Sequence, residues 1–465
     1  RPCVGTGTEW AAWAGHAGCM TYDEIAAFAL DPLSVPEEAI EMAATLLIDT
    51  LGVGAGAVAL APARIARDHA VRFMAPGGPE DAATLLFDGR RASIPGASFA
   101  LASQIDNLDA HDGYNPTKGH IGCAVVPALC AFAEHVPDLS VRDALIALVM
   151  SYELSARSAI ALHATVTDYH TSGAWNALGV AALGARLRRM DASQLRHALG
   201  IAEYHGPRSQ MMREIANPTM LHDGSGMGAL VGAMAVLMAE DGFEGAPAIT
   251  VEAPDVATHW ADLGQNWTIT QNYIKPYPIC RWAHAALDAL GDLIIAHDLG
   301  ADNVARIEVN TFQQAASLFA GMPDTTSQAQ YSLGFALAAR LIHGRIGPEH
   351  VSGAGLKDAA VADVLPKITI TEDARHSVRF PMARWSDVTV THADGRVLSS
   401  GDVHARGGPE APMSLNEVET KFHAMSGRLS EVRKAAIWDM RAQIIHPKTR
   451  FGVLLDLLRD PVGMA

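Results

Sequence analysis

Positive charge is scarce in this sequence: 35 Lys and Arg stand against 51 Asp and Glu, a formal net charge of −16. Such a field repels nucleic-acid phosphates and anionic bilayers, so neither is expected as a partner, and an anionic ligand must find a local basic pocket. Cysteine is scarce too. The five thiols, Cys3, Cys19, Cys123, Cys130 and Cys280, include no Cys-x-x-Cys pair. That pattern fits reduced thiols in the cytoplasm better than a disulfide frame or a structural zinc. Long apolar runs are missing: the longest small and apolar stretch, 226–239, is shorter than the roughly 18 to 20 residues that cross a bilayer. The N-terminus shows no basic patch leading into an apolar segment, and a chain starting at Arg1 rather than Met is expected to have lost leading residues. There is no G-x-x-x-x-G-K-[ST] loop, no H-E-x-x-H and no G-x-S-x-G. Phosphoryl transfer, zinc proteolysis and α/β-hydrolase chemistry therefore lose their usual signatures.

What is present is 465 residues, 49% apolar and 18% charged, enough for about two to three domains at ~150 residues each. From about Tyr22 to Gly264 apolar residues recur at helical spacing, predicting helices over 37–51, 141–161, 174–187 and 229–239. Ser34 before Pro36 and Glu37 marks one helix start, and Asp191 with Ser193 marks another through Leu199; Gly200, Gly206 and Gly242 are expected terminators. Short β-branched alternations follow at 307–309, 367–371 and 388–391, the last closed by a turn at 393–396. The expected fold is mainly α: a helical domain over 1–267 that resumes over 406–465, with a smaller α+β domain over 268–405. Residues 406–412 read as a linker, and helices are predicted over 415–425 and 429–444. Two loose G-x-G-x-x-A patterns, starting at Gly52 and Gly224, do not follow strands; close helix packing is expected of both.

Four polar clusters could carry chemistry. Asp106-Asn107-Leu108-Asp109-Ala110-His111-Asp112 leads through a Gly/Pro loop to His120; metal ligation, acid/base or substrate-orienting use, and a solvated loop all fit it. Asp168-Tyr169-His170-Thr171 precedes an apolar helix, where an imidazole can serve as a base or simply cap and pack. In Lys275-Pro276-Tyr277-Pro278-Ile279-Cys280-Arg281-Trp282-Ala283-His284, two prolines stiffen the backbone carrying Lys275 ahead of a helix start. A lysine there can fix a carboxylate or act as a base, or lie on the surface before a domain junction. Arg208 and Arg213, near Thr219 and His222, offer two carboxylate forks or two structural ion pairs. Glu153, inside an apolar helix beside Tyr152, reads as a buried, paired group.

In this order the clusters, with Leu46-Leu47-Ile48-Asp49-Thr50-Leu51-Gly52, Ala198-Leu199-Gly200-Ile201-Ala202 and Ala329-Gln330-Tyr331-Ser332-Leu333, resemble the MmgE/PrpD family. That family includes 2-methylcitrate dehydratase, cis-aconitate decarboxylase and iminodisuccinate epimerase. The resemblance implies a helical domain built from both chain ends, an inserted α+β lid, a homodimer, an active site in the cleft between domains, and no organic cofactor. By similarity Asp106, His111, His120, His170 and Lys275 line that cleft, and no metal is assigned to it. Departures are informative: Thr219-Met220-Leu221-His222 replaces a Lys-x-Leu-His segment, Cys280 replaces a histidine, and His111 replaces a threonine of the decarboxylase. These losses weigh against decarboxylation and dehydration. The shared family step is removal of a proton next to a carboxylate, giving an aci-carboxylate that cations must stabilise. Lys275 with His170 or His111 is the expected acid/base pair, Asp106 completes the catalytic set, and Arg281, Arg208 or His120 hold distal carboxylates. Thr219, Tyr277 and His284 are expected to contact substrate as well. The implied activity is epimerisation of a small polycarboxylate resembling iminodisuccinate. A dehydratase or decarboxylase of a tricarboxylate is the alternative, and a non-catalytic carboxylate-binding protein is the third reading.

Overall fold

The computed structural model describes residues 20–443 and 448–463. Cys3, Cys19 and the expected helix end at Ile444 lie outside the described residues. The helix Glu37–Ala57 starts at Pro36 without a side-chain cap, so Ser34 does not serve as one. Pro36 suits the position because its fixed φ fits a helix entry. Asp191 does cap Ala192–His205, in a reciprocal capping box with Gln194. That helix runs straight through Gly200, contrary to expectation; the position is glycine because a Cβ there would collide with the Ala246 carbonyl. Gly200 admits a neighbouring chain, and termination falls to Gly206. Gly242, at φ +91°, follows the helix Ser225–Glu240 as expected. Both glycine patterns serve close packing: Gly52 and Gly56 face Phe422 and the Met425 carbonyl, while Gly226 and Gly228 face Ser103 and Gly173.

Two helices, Glu37–Ala57 and Val141–Thr165, are long and apolar enough to cross a membrane, and 83% and 89% of their apolar windows are buried inside the fold. Neither is a continuous apolar run, because polar residues interrupt both. Those residues are paired inside: Lys421 Nζ lies 2.6 Å from Asp49 Oδ2. Glu153 accepts from the Ile269 N–H at 3.0 Å and lies 3.7 Å from Arg157 Nε. Burial pushes the Glu153 carboxyl up to about 7. Burial of nearly the whole circumference marks these as core helices.

One apolar core joins residues 25–274 with 418–462, so the last helices pack on the first. A second core covers 277–390 and takes in Met211 and Ile215 from the helical body. Its sheet runs in the order Ile368–Glu372, Val304–Thr311, Trp385–His392, Val397–Ser399, with Val403–His404 also paired to Trp385–His392. The first pair is parallel and the others antiparallel. Ile307 opposes Val390 and Val309 opposes Val388. These four are buried; Trp385–His392 packs on the helix His284–His297 and Ile368–Glu372 on Leu333–His343. The fold is mainly α with a smaller α+β domain. Ile269 and Ile274 belong to the first core and Tyr277 to the second. The chain therefore crosses between cores at 274–277 rather than at 268, because the short helix Thr268–Gln271 packs on Glu37–Ala57 and Val141–Thr165. Lys275 sits at the crossing.

Candidate active site

A narrow cleft lies where the two cores meet. From the helical body come Asp109, Lys118, His120, Tyr169 and Asp223; from the crossing strap and the α+β domain come Lys275, Cys280, Arg281, Tyr331 and Arg384. The void between them is about 20 Å³, little more than one water molecule. The cleft is closed in this conformation, and a substrate enters only if the domains part.

Lys275 is fully buried and its ammonium donates to Asp109 Oδ1. The strap that carries it is pinned on both sides. Tyr273 and Gly113 exchange backbone hydrogen bonds of 2.8 and 3.0 Å, and the Ile274 N–H donates to the Gly407 carbonyl at 2.9 Å. Pro276 and Pro278 fix φ and take two donors out of the strap. Burial pushes the Asp109 carboxyl up, and Lys275 pulls it back.

His120 faces Lys275 from the loop before the helix Gly122–Ala133. Its Nδ1 lies 2.6 Å from the Asp112 carbonyl, so Nδ1 carries the proton. Nε2 keeps its lone pair, 3.6 Å from Asp223 Oδ2. Burial first, then the Lys275 charge, holds this imidazole well below its ordinary value, and it is neutral at pH 7. Asp223 accepts from Ser172 Oγ at 2.8 Å, and burial together with the Asp109 charge pushes its carboxyl up. Asp109, Lys118 and His222 hold left-handed backbones at φ +55°, +56° and +46°. Such geometry costs about 1 to 3 kcal/mol per residue and gathers at working sites.

Other expected residues stand elsewhere. His111 lies behind His120, their rings edge-on at 4.5 Å, with its Nε2 3.5 Å from Asp106 Oδ1. Asp106 is a layer further in, accepting the Ser225 N–H at 3.1 Å, and its carboxyl is pushed well up by burial and then by Asp223. Neither lines the cleft. His170 and Arg208 face away from it, in an open depression of about 470 Å³ shared with Asp168, Gln210 and Arg213. His170 pairs with Gln210 in an isolated β-bridge, so alternate side chains point to opposite faces, and it is Tyr169 that turns inward. Thr219 is exposed and donates to Glu214 Oε2 at 2.8 Å. The Tyr277 hydroxyl donates to Asp288 Oδ1 at 2.9 Å, and His284 Nε2 donates to the Ile279 carbonyl at 2.8 Å; both support the second core. Arg281 does line the cleft, packed over the Tyr273 ring at 4.3 Å, and burial pulls it down to about 10.

Asp109 stands in the first polar cluster without an expected role of its own, and Asp223, Lys118 and Arg384 were not among the expected site residues. Asp223 had a weak signal, the polar His222-Asp223-Gly224 run directly before the apolar helix Ser225–Glu240. Arg384 had none, standing alone before the strand Trp385–His392. Among the described residues, Asp106, His111 and Cys123 bring donor atoms within 4.8 Å of one another, as do Asp373, His376 and Asp387. Each is a possible set of metal ligands; the first adds Cys123 to two residues of the cluster that also fits metal ligation, and the second was not expected from spacing. Cys123 donates to Ser225 Oγ at 3.2 Å and burial pushes its thiol well up, so it stands there as a neutral thiol.

No curated protein matches the chain. The MmgE/PrpD N-terminal domain matches residues 24–267 and the MmgE/PrpD C-terminal domain matches residues 277–444. Lys275 falls in the gap between the two matches. With these matches, and with a cleft of paired acid/base groups at that junction, the chain belongs to the MmgE/PrpD family.

Proposed function

We propose that this protein is a cofactor-independent epimerase of a small polycarboxylate resembling iminodisuccinate. It would remove and return the proton on the carbon next to a carboxylate. Family membership supports an enzyme acting on small acids by dehydratase-type or epimerase-type chemistry. The observation that carries the finer reading is the pairing of a buried ammonium, Lys275, with a neutral imidazole, His120, on the walls of one closed cleft. Four cations and two carboxylates line it, so a polyanion is attracted there although the whole chain is acidic.

His120 takes the role expected of His170 or His111. Its Nε2 removes the α-proton, and the charge that develops on the carboxylate oxygens is stabilised by the Lys275 ammonium. Lys275 then delivers a proton from Nζ to the opposite face, leaving an amine and an imidazolium that exchange with solvent when the cleft opens. Asp109 orients the ammonium through its hydrogen bond. The low proton affinity of His120 in the empty cleft rises when substrate carboxylates sit beside it. Closure excludes water from the aci-carboxylate.

The test is proton NMR in deuterium oxide with a panel of succinate-derived and citrate-derived acids. Stereoisomer conversion with deuterium at the α-carbon and no change of skeleton supports the epimerase. An alkene or released carbon dioxide moves the protein to the lyases of the same family. No exchange on any compound leaves a carboxylate-binding protein.

A further inference from the structure

Arg384 is a charge without a counter-charge. It is 1% exposed, its Nη1 donates to the Pro381 carbonyl, and its Nε has no hydrogen-bond partner. Its guanidinium lies 5.2 Å from the Phe380 ring. No Asp or Glu forms an ion pair with it among the described residues. Tyr273, Tyr169, Cys280 and two other cations, Arg281 and Lys118, share its cleft, and Glu410, outside the cleft lining, exerts the weakest of the attractions on it. Lys118 stands across the cleft on the helical body, its ammonium 4.5 Å over the Tyr169 ring, and among the described residues it too forms no ion pair with a carboxylate. Arg281 is differently placed. Its Nη1 and Nη2 already donate to the carbonyls of Arg406 and Ala405, at 2.6 and 2.9 Å.

Two like charges, one from each domain, thus face one cleft, and among the described residues neither is paired with the carboxylates that also line it. A buried guanidinium left unpaired is strongly unfavourable, and its proximity to Lys118 adds repulsion. An anion between them would remove both costs and draw the domains together. We propose that Lys118 and Arg384 are the two halves of a carboxylate subsite, one on each domain, that takes the carboxylate of the substrate remote from the reacting carbon. Lys275 serves the carboxylate next to that carbon. The inference rests on the polycarboxylate reading above and narrows it: the substrate carries at least two carboxylates, and the remote one bridges the domains.

Binding of a non-reacting acid tests the subsite apart from the chemistry. Tricarballylate and its monoamides are titrated calorimetrically into the wild type, Arg384→Met, Arg384→Lys and Lys118→Met. Loss of one charge-assisted contact predicts a rise in the tricarballylate Kd of roughly 30-fold or more in both methionine variants. Arg384→Lys should recover part of it, and the monoamide that lacks the remote carboxylate should bind the wild type and Arg384→Met alike. Thermal melting of unliganded Arg384→Met is expected at or above the wild-type temperature, since an unpaired buried charge is gone. Unchanged tricarballylate affinity in folded Arg384→Met and Lys118→Met would overturn the proposal. So would inorganic phosphate competing as well as the triacid, which would make this a general anion site. If Arg384→Met does not fold, Lys118→Met, altered on the half-exposed side, carries the test alone. Tight tricarballylate binding with no α-exchange on any acid would defeat the epimerase reading and leave the subsite standing.

Discussion

Replacing Lys275 by Met leaves Asp109 buried without its cation, and the size of the penalty follows from proton binding. Burial already pushes the Asp109 carboxyl above its ordinary 3.8, and only Lys275 opposes that. Without the lysine the carboxyl escapes the cost of buried charge by taking a proton. At pH 7 that protonation lies about 3 pH units above the ordinary value and costs about 4 kcal/mol, at ~1.4 kcal/mol per unit. This agrees with the roughly 3 to 5 kcal/mol lost when one partner of a buried pair is removed. A carboxyl raised in the folded state stabilises below its unfolded value and loses that contribution as pH rises through the folded one. The deficit of Lys275→Met should therefore shrink on acidification, to about 2 kcal/mol at pH 5. Urea unfolding followed by circular dichroism at both pH values reads it. Lys275→Met/Asp109→Asn should regain most of the stability at pH 7 while staying inactive. A Lys275→Met protein as stable as wild type at pH 7, or a deficit that does not depend on pH, would refute the argument.

Further outcomes follow from the same groups. Burial pulls His222 down to about 3, so below pH 6.5 the unfolded chain takes up a proton that the folded one refuses; His222→Gln should gain roughly 2 to 3 kcal/mol over wild type at pH 4.5 in acid-unfolding curves. Lys421→Met strands Asp49 and the Ala110 carbonyl, which the ammonium holds at 2.6 and 2.7 Å. It should cost about 3 to 5 kcal/mol in urea, most of it recovered in Lys421→Met/Asp49→Leu. His120→Ala should slow α-hydrogen exchange about 10²- to 10⁴-fold in a protein whose circular dichroism is native, and losing the buried donor to the Asp112 carbonyl should lower its stability by about 1 to 3 kcal/mol in urea.

The two-domain plan was legible because burial imposes periods: 3.6 along 37–51 and 141–161, two along 307–309 and 388–391. The residues that misled the reading were those whose role depends on a distant chain. Gly200 looks like a terminator until Ala246 is seen against it. Lys275 was legible since its prolines are local, and His120 since it follows an acidic helix end. His170 was read as inward because sequence cannot tell which of two neighbours in an extended pair faces the cleft. Arg384 left no trace: its importance lies in facing the cleft with no carboxylate paired to it among the described residues, and that is visible only once the opposite wall is in place.

The most direct measurement is deuterium wash-in at the α-carbon of the acid that the wild type turns over, compared across wild type, Lys275→Met and His120→Ala. The account predicts exchange in the wild type and a loss of about 10³-fold or more in Lys275→Met, in a protein whose circular dichroism is native. Exchange by folded Lys275→Met within about tenfold of wild type would remove the strap lysine from the chemistry and contradict the account.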